Sequence, residues 1–113
     1  MRYMLLIFSD PNQGPPPASP EAMAEMMRPW GEYTQALKDA GVYVGGDALQ
    51  GPDTATSVRG DVVTDGPFAE TKEQVGGYYM YDCDTREEAL EWAKKCPGVN
   101  NGGVELRPLM VFE

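Results

Sequence analysis

One stretch of the chain, Val63 to Tyr79, concentrates side chains that could carry out acid–base chemistry. Because the sequence contains no histidine, a general acid or base would have to be a carboxylate, a lysine or a tyrosine. We therefore take Asp65, Lys72 and Glu73 as candidate catalytic residues, with Lys72 attracting an anionic or carbonyl-bearing ligand. Each also has a structural interpretation, since Asp65 can simply form a turn and the other two can be solvated charges.

Candidate ligand-binding residues surround these three. They are Asp47, Arg59, Phe68, Glu70 and Tyr78. Phe68 follows a rigid turn directly, whereas Tyr78 could instead belong to the hydrophobic core. The cluster of charges next to Gly76-Gly77 is the feature that favours a binding site here.

The backbone of this stretch must follow a defined path. Gly66 can adopt φ > 0, and Pro67 both fixes its own φ and moves Gly66 out of the helical region. Asp65 can close the resulting turn with its carboxylate. Gly76-Gly77 lets another backbone or a ligand approach more closely than a Cβ would allow. The sequence thus predicts a shaped loop and not a flexible linker.

These residues resemble the signature of a known family. Asp65-Gly66-Pro67-Phe68, followed by Ala69 to Gln74 and Gly76-Gly77-Tyr78-Tyr79, is similar to the signature of the DGPF-domain proteins, a branch of the YCII-related family. The resemblance extends along nearly the whole chain, through Arg2 to Ile7, Ser19-Pro20-Glu21, Glu87 to Ala93 and Val104 to Pro108. It implies one domain over residues 1–113, a ferredoxin-like α+β unit that pairs into a dimeric α/β barrel.

The resemblance also bears on function. The resemblance implies that YCII-related proteins outside this branch use a histidine with an acidic residue, and this chain has no histidine. DGPF relatives are often encoded beside extracytoplasmic-function sigma factors. Two functions are therefore expected. One is a small-molecule-binding barrel, with or without cofactor-free enzymatic activity beside the Asp65 turn, and the other is a non-enzymatic regulatory or interaction protein.

Periodicity and capping residues predict the elements that position this stretch. Ser19 and Pro20 start a helix near 20–40, whose methionines recur at helical spacing and are assigned to the core, with a ligand-facing stripe as the alternative. Asp84 and Glu87 resemble a capping box at the start of a helix over 85–95. The predicted strands are Arg2 to Phe8, Val42 to Val44, Thr54 to Arg59, Val62 to Thr64, Gly77 to Cys83 and Val104 to Phe112. Gly45-Gly46 either ends the second strand or bulges it before Asp47. Pro108 interrupts the last strand, which should therefore lie at an edge or pass to another subunit.

This order is β-α-β, a β-hairpin, then β-α-β, which predicts an antiparallel sheet with two helices on one face. Two helices cover only one face of the sheet. Three strands nevertheless carry apolar residues on both faces: the first strand, Gly77 to Cys83, and the last strand. A soluble monomer rarely exposes an apolar face of several hundred Å². We therefore expect a homodimer, in which a second copy covers the bare face.

The composition of the chain limits the kinds of partner, metal and cofactor that it is expected to bind. With 18 acidic and 9 basic residues the net charge is −9, which argues against nucleic acid as a partner. The sequence has no export signal and no apolar run long enough to span a bilayer, so we expect a cytoplasmic protein without a membrane partner. Two cysteines without a histidine do not make a zinc site, and no cofactor motif is present. We expect neither a metal nor a cofactor.

Substitution of Lys72 tests whether this stretch contains a site. We expect Lys72→Ala to weaken the binding of a stabilising metabolite while changing the free energy of unfolding by less than about 0.5 kcal/mol. Asp65→Ala should destabilise by roughly 1 kcal/mol through loss of a turn contact, whether or not the site is functional. Thermal-shift titration of the wild type and both variants measures this, and unchanged binding to Lys72→Ala would exclude the stretch from the site.

Overall fold

The structure is a computed structural model, and it describes residues 1–9, 16–67 and 74–112. Within these residues the elements are β1 (Arg2–Ser9), α1 (Pro20–Asp39), β2 (Tyr43–Ala48), β3 (Thr56–Arg59), β4 (Val62–Asp65), β5 (Gln74–Asp82), α2 (Arg86–Lys94) and β6 (Val104–Pro108). Short 3-10 turns occupy Pro52–Thr54 and Pro97–Asn100. The predicted α+β class, with two helices and antiparallel sheets, is confirmed.

The main sheet has the strand order β2-β5-β1-β6, and every neighbouring pair in it is antiparallel. Strands β3 and β4 form a separate antiparallel hairpin between β2 and β5. Leu5 of β1 lies opposite both Tyr79 and Leu106, which places these three side chains on one face. Both helices pack against that face.

The hydrophobic core lies between this face and the two helices. Its largest fully buried side chains belong to Tyr3, Leu5, Leu37, Tyr81, Cys83 and Cys96. Small residues bring α2 close to the sheet, since Ala89 and Ala93 are buried on its inner side. Both cysteines are free thiols. Cys83 and Cys96 pack in this core as small buried residues.

The helix starts follow from hydroxyl caps. The Ser19 hydroxyl accepts a hydrogen bond from the Ala22 N–H at 3.1 Å, which confirms the predicted cap of α1. The predicted start of α2 at Asp84 is wrong by one residue. Thr85 has extended backbone angles and its hydroxyl accepts from the Glu88 N–H at 3.1 Å, while the Glu88 carboxylate accepts from the Asp84 N–H at 3.3 Å.

The methionines of α1 are not in the core of the chain, so that prediction is wrong. Met23, Met26 and Met27 are 44%, 51% and 45% exposed. They occupy the same side of the helix as Tyr33 and Leu37, but only those two residues of α1 are buried. A 20-residue helix is about 30 Å long, and its amino-terminal half continues beyond the core.

Several strand boundaries differ from prediction, among them the start of β5, which lies at Gln74 instead of Gly77. β2 continues through Gly45-Gly46 to Ala48, and the register shift between Tyr43 and Gly45 confirms the bulge, one of the two predicted outcomes. β3 starts at Thr56 because Pro52–Thr54 forms a 3-10 turn. β6 ends at Pro108 instead of Phe112. The Leu109 N–H still donates to the Arg2 carbonyl at 2.9 Å, after which Met110, Val111 and Phe112 are 79%, 83% and 86% exposed.

Tyrosine hydroxyls tie β5 to α1 and α2 inside the core. The Tyr33 hydroxyl donates a hydrogen bond to the Trp92 carbonyl at 2.6 Å. In its contact with Tyr81 it therefore accepts the hydrogen bond that the Tyr81 hydroxyl donates. The Thr34 hydroxyl donates to the Trp30 carbonyl at 2.9 Å and accepts from Tyr79 at 2.7 Å. Each buried hydroxyl thereby has a partner, as burial requires.

This network predicts how stability depends on alkaline pH. Burial raises the pKa of both Tyr33 and Tyr81 far above the usual value near 10. The resulting stabilisation is complete below the unfolded pKa and is lost as the pH rises above it, because the unfolded chain releases protons that the folded chain keeps. We expect the free energy of unfolding to fall by about 1.4 kcal/mol per pH unit for each of these tyrosines above about pH 10.

Urea unfolding of the wild type and of Tyr81→Phe, at several pH values above 9, measures this dependence. Burial also raises the pKa of Cys83 and Cys96, and their contribution is common to both proteins. Tyr81→Phe keeps the hydrogen bond from Tyr33 to Trp92, so the variant should fold. Its free energy of unfolding should fall less steeply with pH, by about the contribution of one titrating proton. Equal slopes would contradict the assignment.

Candidate functional site

The face of the main sheet that points away from the helices carries an apolar strip with charged edges. Cross-strand pairing puts Met4 opposite Met80, and Leu6 opposite Tyr78. At the β6 edge, Arg107 lies opposite Met4 and Glu105 lies opposite Leu6. The same face therefore carries Met4, Leu6, Phe8, Tyr78 and Met80 in its centre, Asp47 at the β2 edge, and Glu105 and Arg107 at the β6 edge.

Two of the predicted ligand-binding residues meet on this face. Tyr78 lies directly opposite Asp47 in the β2–β5 pair, and its hydroxyl donates to Asp47 Oδ2 at 2.9 Å. The hydrogen bond to the Asp47 carboxylate raises the pKa of Tyr78, so the phenol stays protonated at neutral pH. The free lone pairs of both groups can accept a hydrogen bond from a ligand hydroxyl or amine.

Glycines let the two strands of this pair come together. A Cβ on Gly77 would lie 2.9 Å from the Asp47 carbonyl oxygen, and one on Gly46 would lie 2.8 Å from the Tyr78 carbonyl oxygen. Both distances are shorter than a carbon and an oxygen tolerate, so neither position has room for a side chain. The expectation that Gly77 allows another backbone to approach closely is confirmed, and the backbone is that of β2.

Arg59 and Asp65 lie on the hairpin, on opposite faces of it. Ser57 pairs with Thr64 and Arg59 with Val62, so these four side chains share one face. With Pro67 they line a hollow of about 390 Å³. Asp65 pairs with Thr56 and is exposed on the other face. The structure thus brings Arg59, but not Asp65, to this hollow.

The turn after β4 has the predicted glycine conformation but a different hydrogen bond. Gly66 has φ +96°, its N–H donates to the Ala55 carbonyl at 2.7 Å, and the Ser57 hydroxyl donates to the Gly66 carbonyl at 2.5 Å. Among the described residues the Asp65 carboxylate makes no such bond. The Ser57 hydroxyl holds the turn instead, so this part of the structure shows no turn contact that Asp65→Ala would remove.

The other candidates fall in the remainder of the signature stretch. Phe68, Glu70, Lys72 and Glu73 lie outside the described residues. Of the eight residues proposed from the sequence, Asp47 and Tyr78 therefore meet on the sheet face, Arg59 lines the hairpin hollow, and Asp65 lies at neither place. A wider hollow, of about 690 Å³, follows the outer face of α1 beside Glu21, Glu25, Arg28 and Glu32 and contains none of the candidates.

Sequence reasoning missed several residues that line these surfaces. The sequence marks Met4, Leu6, Phe8 and Met80 only as apolar residues of two-sided strands, and their alternation with core residues is the available signal. It does not mark Ser57 and Thr64, although their spacing from Arg59 and Val62 across a two-residue turn places them on one hairpin face. Cross-strand register, which a single sequence does not reveal, was needed to join each pair.

In the described part of the chain, neither helix is both long enough and apolar enough to cross a bilayer.

Comparison with known proteins gives a family but no activity. A family model described as the YCII-related domain matches residues 1–113. A stretch of 54 residues is 46% identical to an uncharacterised protein of Rhizobium meliloti (strain 1021). That match covers 46% of this chain and 44% of the relative, so it spans less than half of the relative's length.

The hydrogen bond between Tyr78 and Asp47 predicts a measurable titration. We expect the pKa of Tyr78 to lie above the usual value near 10 in the wild type, and to return towards that value in Asp47→Asn, where the carboxylate charge is gone. NMR titration of the Tyr78 ring signals measures both. Asp61→Asn, in the exposed hairpin turn, removes an equal charge elsewhere and should leave the Tyr78 pKa unchanged. A Tyr78 pKa that does not respond to Asp47→Asn would contradict the bond.

Proposed function

The chain belongs to the YCII-related domain family, and we propose that it binds a small molecule as a dimeric α/β barrel. The observation that carries the proposal is the sheet face described above, on which an apolar strip surrounds the hydrogen-bonded Tyr78 and Asp47. The two sheets of the dimer would face each other through this strip. The strand order β2-β5-β1-β6, with both helices on the opposite face, supports a ferredoxin-like unit of this kind.

The shape of the chain supports pairing. Its principal extents are 44 × 40 × 18 Å, so it is one sheet and one helical layer thick. Its radius of gyration is 15.7 Å, whereas a compact domain of this length is expected near 13 Å. A flat chain has more surface than a compact one of equal length. Covering the apolar face with a second sheet, about 10 Å away, would give the pair a two-sided core.

The charged edges of this face suggest where a ligand would bind. Asp47 lies at the β2 edge and Arg107 and Glu105 at the β6 edge, so pairing two strips would bury the apolar centre and leave polar groups at the rim. Tyr78 and Asp47 present acceptor lone pairs at the boundary between the apolar centre and the polar rim. The ligand that suits this arrangement is a largely apolar molecule with a hydroxyl or amino group. Binding is the role this pair supports, and turnover would need a further group.

One observation favours a second function, that of an interaction protein. The exposed methionines of α1, Met23, Met26 and Met27, belong to the helical layer, so pairing through the sheet face alone would leave them uncovered. Methionine-rich surfaces adapt to many partners because the side chain is flexible and polarisable. Such a surface suits the apolar side of a partner helix, as the expected association with a regulatory protein would require.

Substitution on the sheet face tests the dimer. We expect the wild type to sediment at micromolar concentration with twice the 12.4 kDa mass of the chain, and Leu6→Asp to sediment with the mass of one chain. The aspartate would place a charge in the middle of the interface, whereas in a single chain it would lie on a partly exposed surface. Val99→Asp, an exposed site away from the sheet, is the matched control and should remain dimeric. A wild type that sediments only as the 12.4 kDa species would exclude the dimer.

A thermal-shift screen with a metabolite panel then tests ligand binding. A ligand held between the sheets should stabilise the wild type and Val99→Asp, but not Leu6→Asp, and it should stabilise Tyr78→Phe less. If no metabolite stabilises the wild type although the dimer forms, the interaction function is favoured.

A further inference from the structure

The hairpin contains a second candidate site, built from different residues. Its hollow of about 390 Å³ is lined by Ser57, Arg59, Val62, Thr64 and Pro67. The first four share a face because Ser57 pairs with Thr64 and Arg59 with Val62. The hydrogen bond from the Ser57 hydroxyl to the Gly66 carbonyl, 2.5 Å long, holds the turn that carries Pro67 beside this face. Only 9% of Ser57 is exposed, so this residue forms the buried floor of the hollow.

The chemistry of the lining is that of an anion site with an apolar wall. A guanidinium carries five N–H donors in a planar fork that matches the two oxygens of a carboxylate or phosphate. Arg59 takes part in an interaction within the chain, and five donors allow it to keep that partner and still bind an anion. The Thr64 hydroxyl adds a neutral donor opposite Ser57.

Charge and polarity decide between the possible anions. Among the described residues that line this hollow, Arg59 is the cation, and the chain has a net charge of −9, with Asp61 in the hairpin turn and Asp65 on its other face. A single positive charge in acidic surroundings suits a monoanion better than a dianion. Val62, whose side chain is 63% exposed, and Pro67 offer apolar contact that inorganic phosphate cannot use.

We propose that this hairpin face binds a small monocarboxylate with an apolar body, its carboxylate on Arg59 and its body against Val62 and Pro67. The site goes beyond the proposed function, because all of its residues belong to the hairpin and its following turn in one chain. It does not require the dimer, and it uses neither Tyr78 nor Asp47.

Titration with benzoate, followed by NMR or calorimetry, tests the proposal. We expect wild-type protein to bind benzoate and Arg59→Gln to bind it about tenfold or more weakly, as the loss of hydrogen bonds to a charged group predicts. Arg59→Lys should fall in between, because an ammonium lacks the planar fork. Arg86→Gln, which removes the same charge at the start of α2, is the matched control and should bind benzoate like the wild type.

Two further probes define the ligand class. Benzamide has the same apolar ring without the charge and should bind at least about tenfold more weakly than benzoate. Inorganic phosphate should also bind more weakly. Equal affinity of wild type and Arg59→Gln for benzoate would overturn the site, as would an equal loss in Arg86→Gln, and phosphate binding as tight as benzoate would overturn the carboxylate class. Leu6→Asp and Tyr78→Phe should retain benzoate binding, which separates this test from that of the proposed function.

Discussion

The two-residue alternation along β5 is the constraint on which the rest of the structure depends. Tyr79 and Tyr81 point into the core, where their hydroxyls meet groups of α1. Tyr78 and Met80 point to the opposite face, where they extend the apolar strip. Because the period of a strand is two, a slip of one residue would exchange these sets and would place polar hydroxyls on the wrong side of the sheet. Core and candidate site are therefore specified by the same register.

The buried hydroxyls make that register more specific than apolar packing alone would. An apolar side chain tolerates a shifted neighbour of similar size, whereas a buried hydroxyl without a partner costs roughly 1–3 kcal/mol. The Tyr33 hydroxyl joins Tyr81 to the Trp92 carbonyl, so β5, α1 and α2 must all be in place for every group to be satisfied. Gly46 and Gly77 act in the same direction, because at these two positions the backbones of β2 and β5 approach too closely for a Cβ.

Much of the fold could be predicted from the sequence, because local signals determine it. Ser19 and Pro20 define a helix start within one turn, and Gly66 before Pro67 defines a reversal. The failures arose where a local pattern has more than one outcome. Met23, Met26 and Met27 have the spacing of a core stripe, but whether such a stripe is covered depends on what lies opposite. Asp84 and Thr85 can both cap a helix, and only the backbone geometry selects Thr85. The candidate site was harder, since Asp47 and Tyr78 are distant in sequence and meet only through strand register.

The positions of the charges explain why the two candidate sites would select different ligands. A surface with a net charge of −9 repels anions over most of its area, so an anion needs a local cation, which Arg59 provides on the hairpin. On the sheet face, the Asp47 carboxylate beside the protonated Tyr78 disfavours an anion and favours a hydrogen-bond donor. A ligand that carries both a carboxylate and a hydroxyl would thus bind through its carboxylate at the hairpin and through its hydroxyl on the sheet face. Since β2 leads into the hairpin and β5 follows it, the strand pair that aligns Asp47 with Tyr78 also anchors both ends of the segment that carries Arg59.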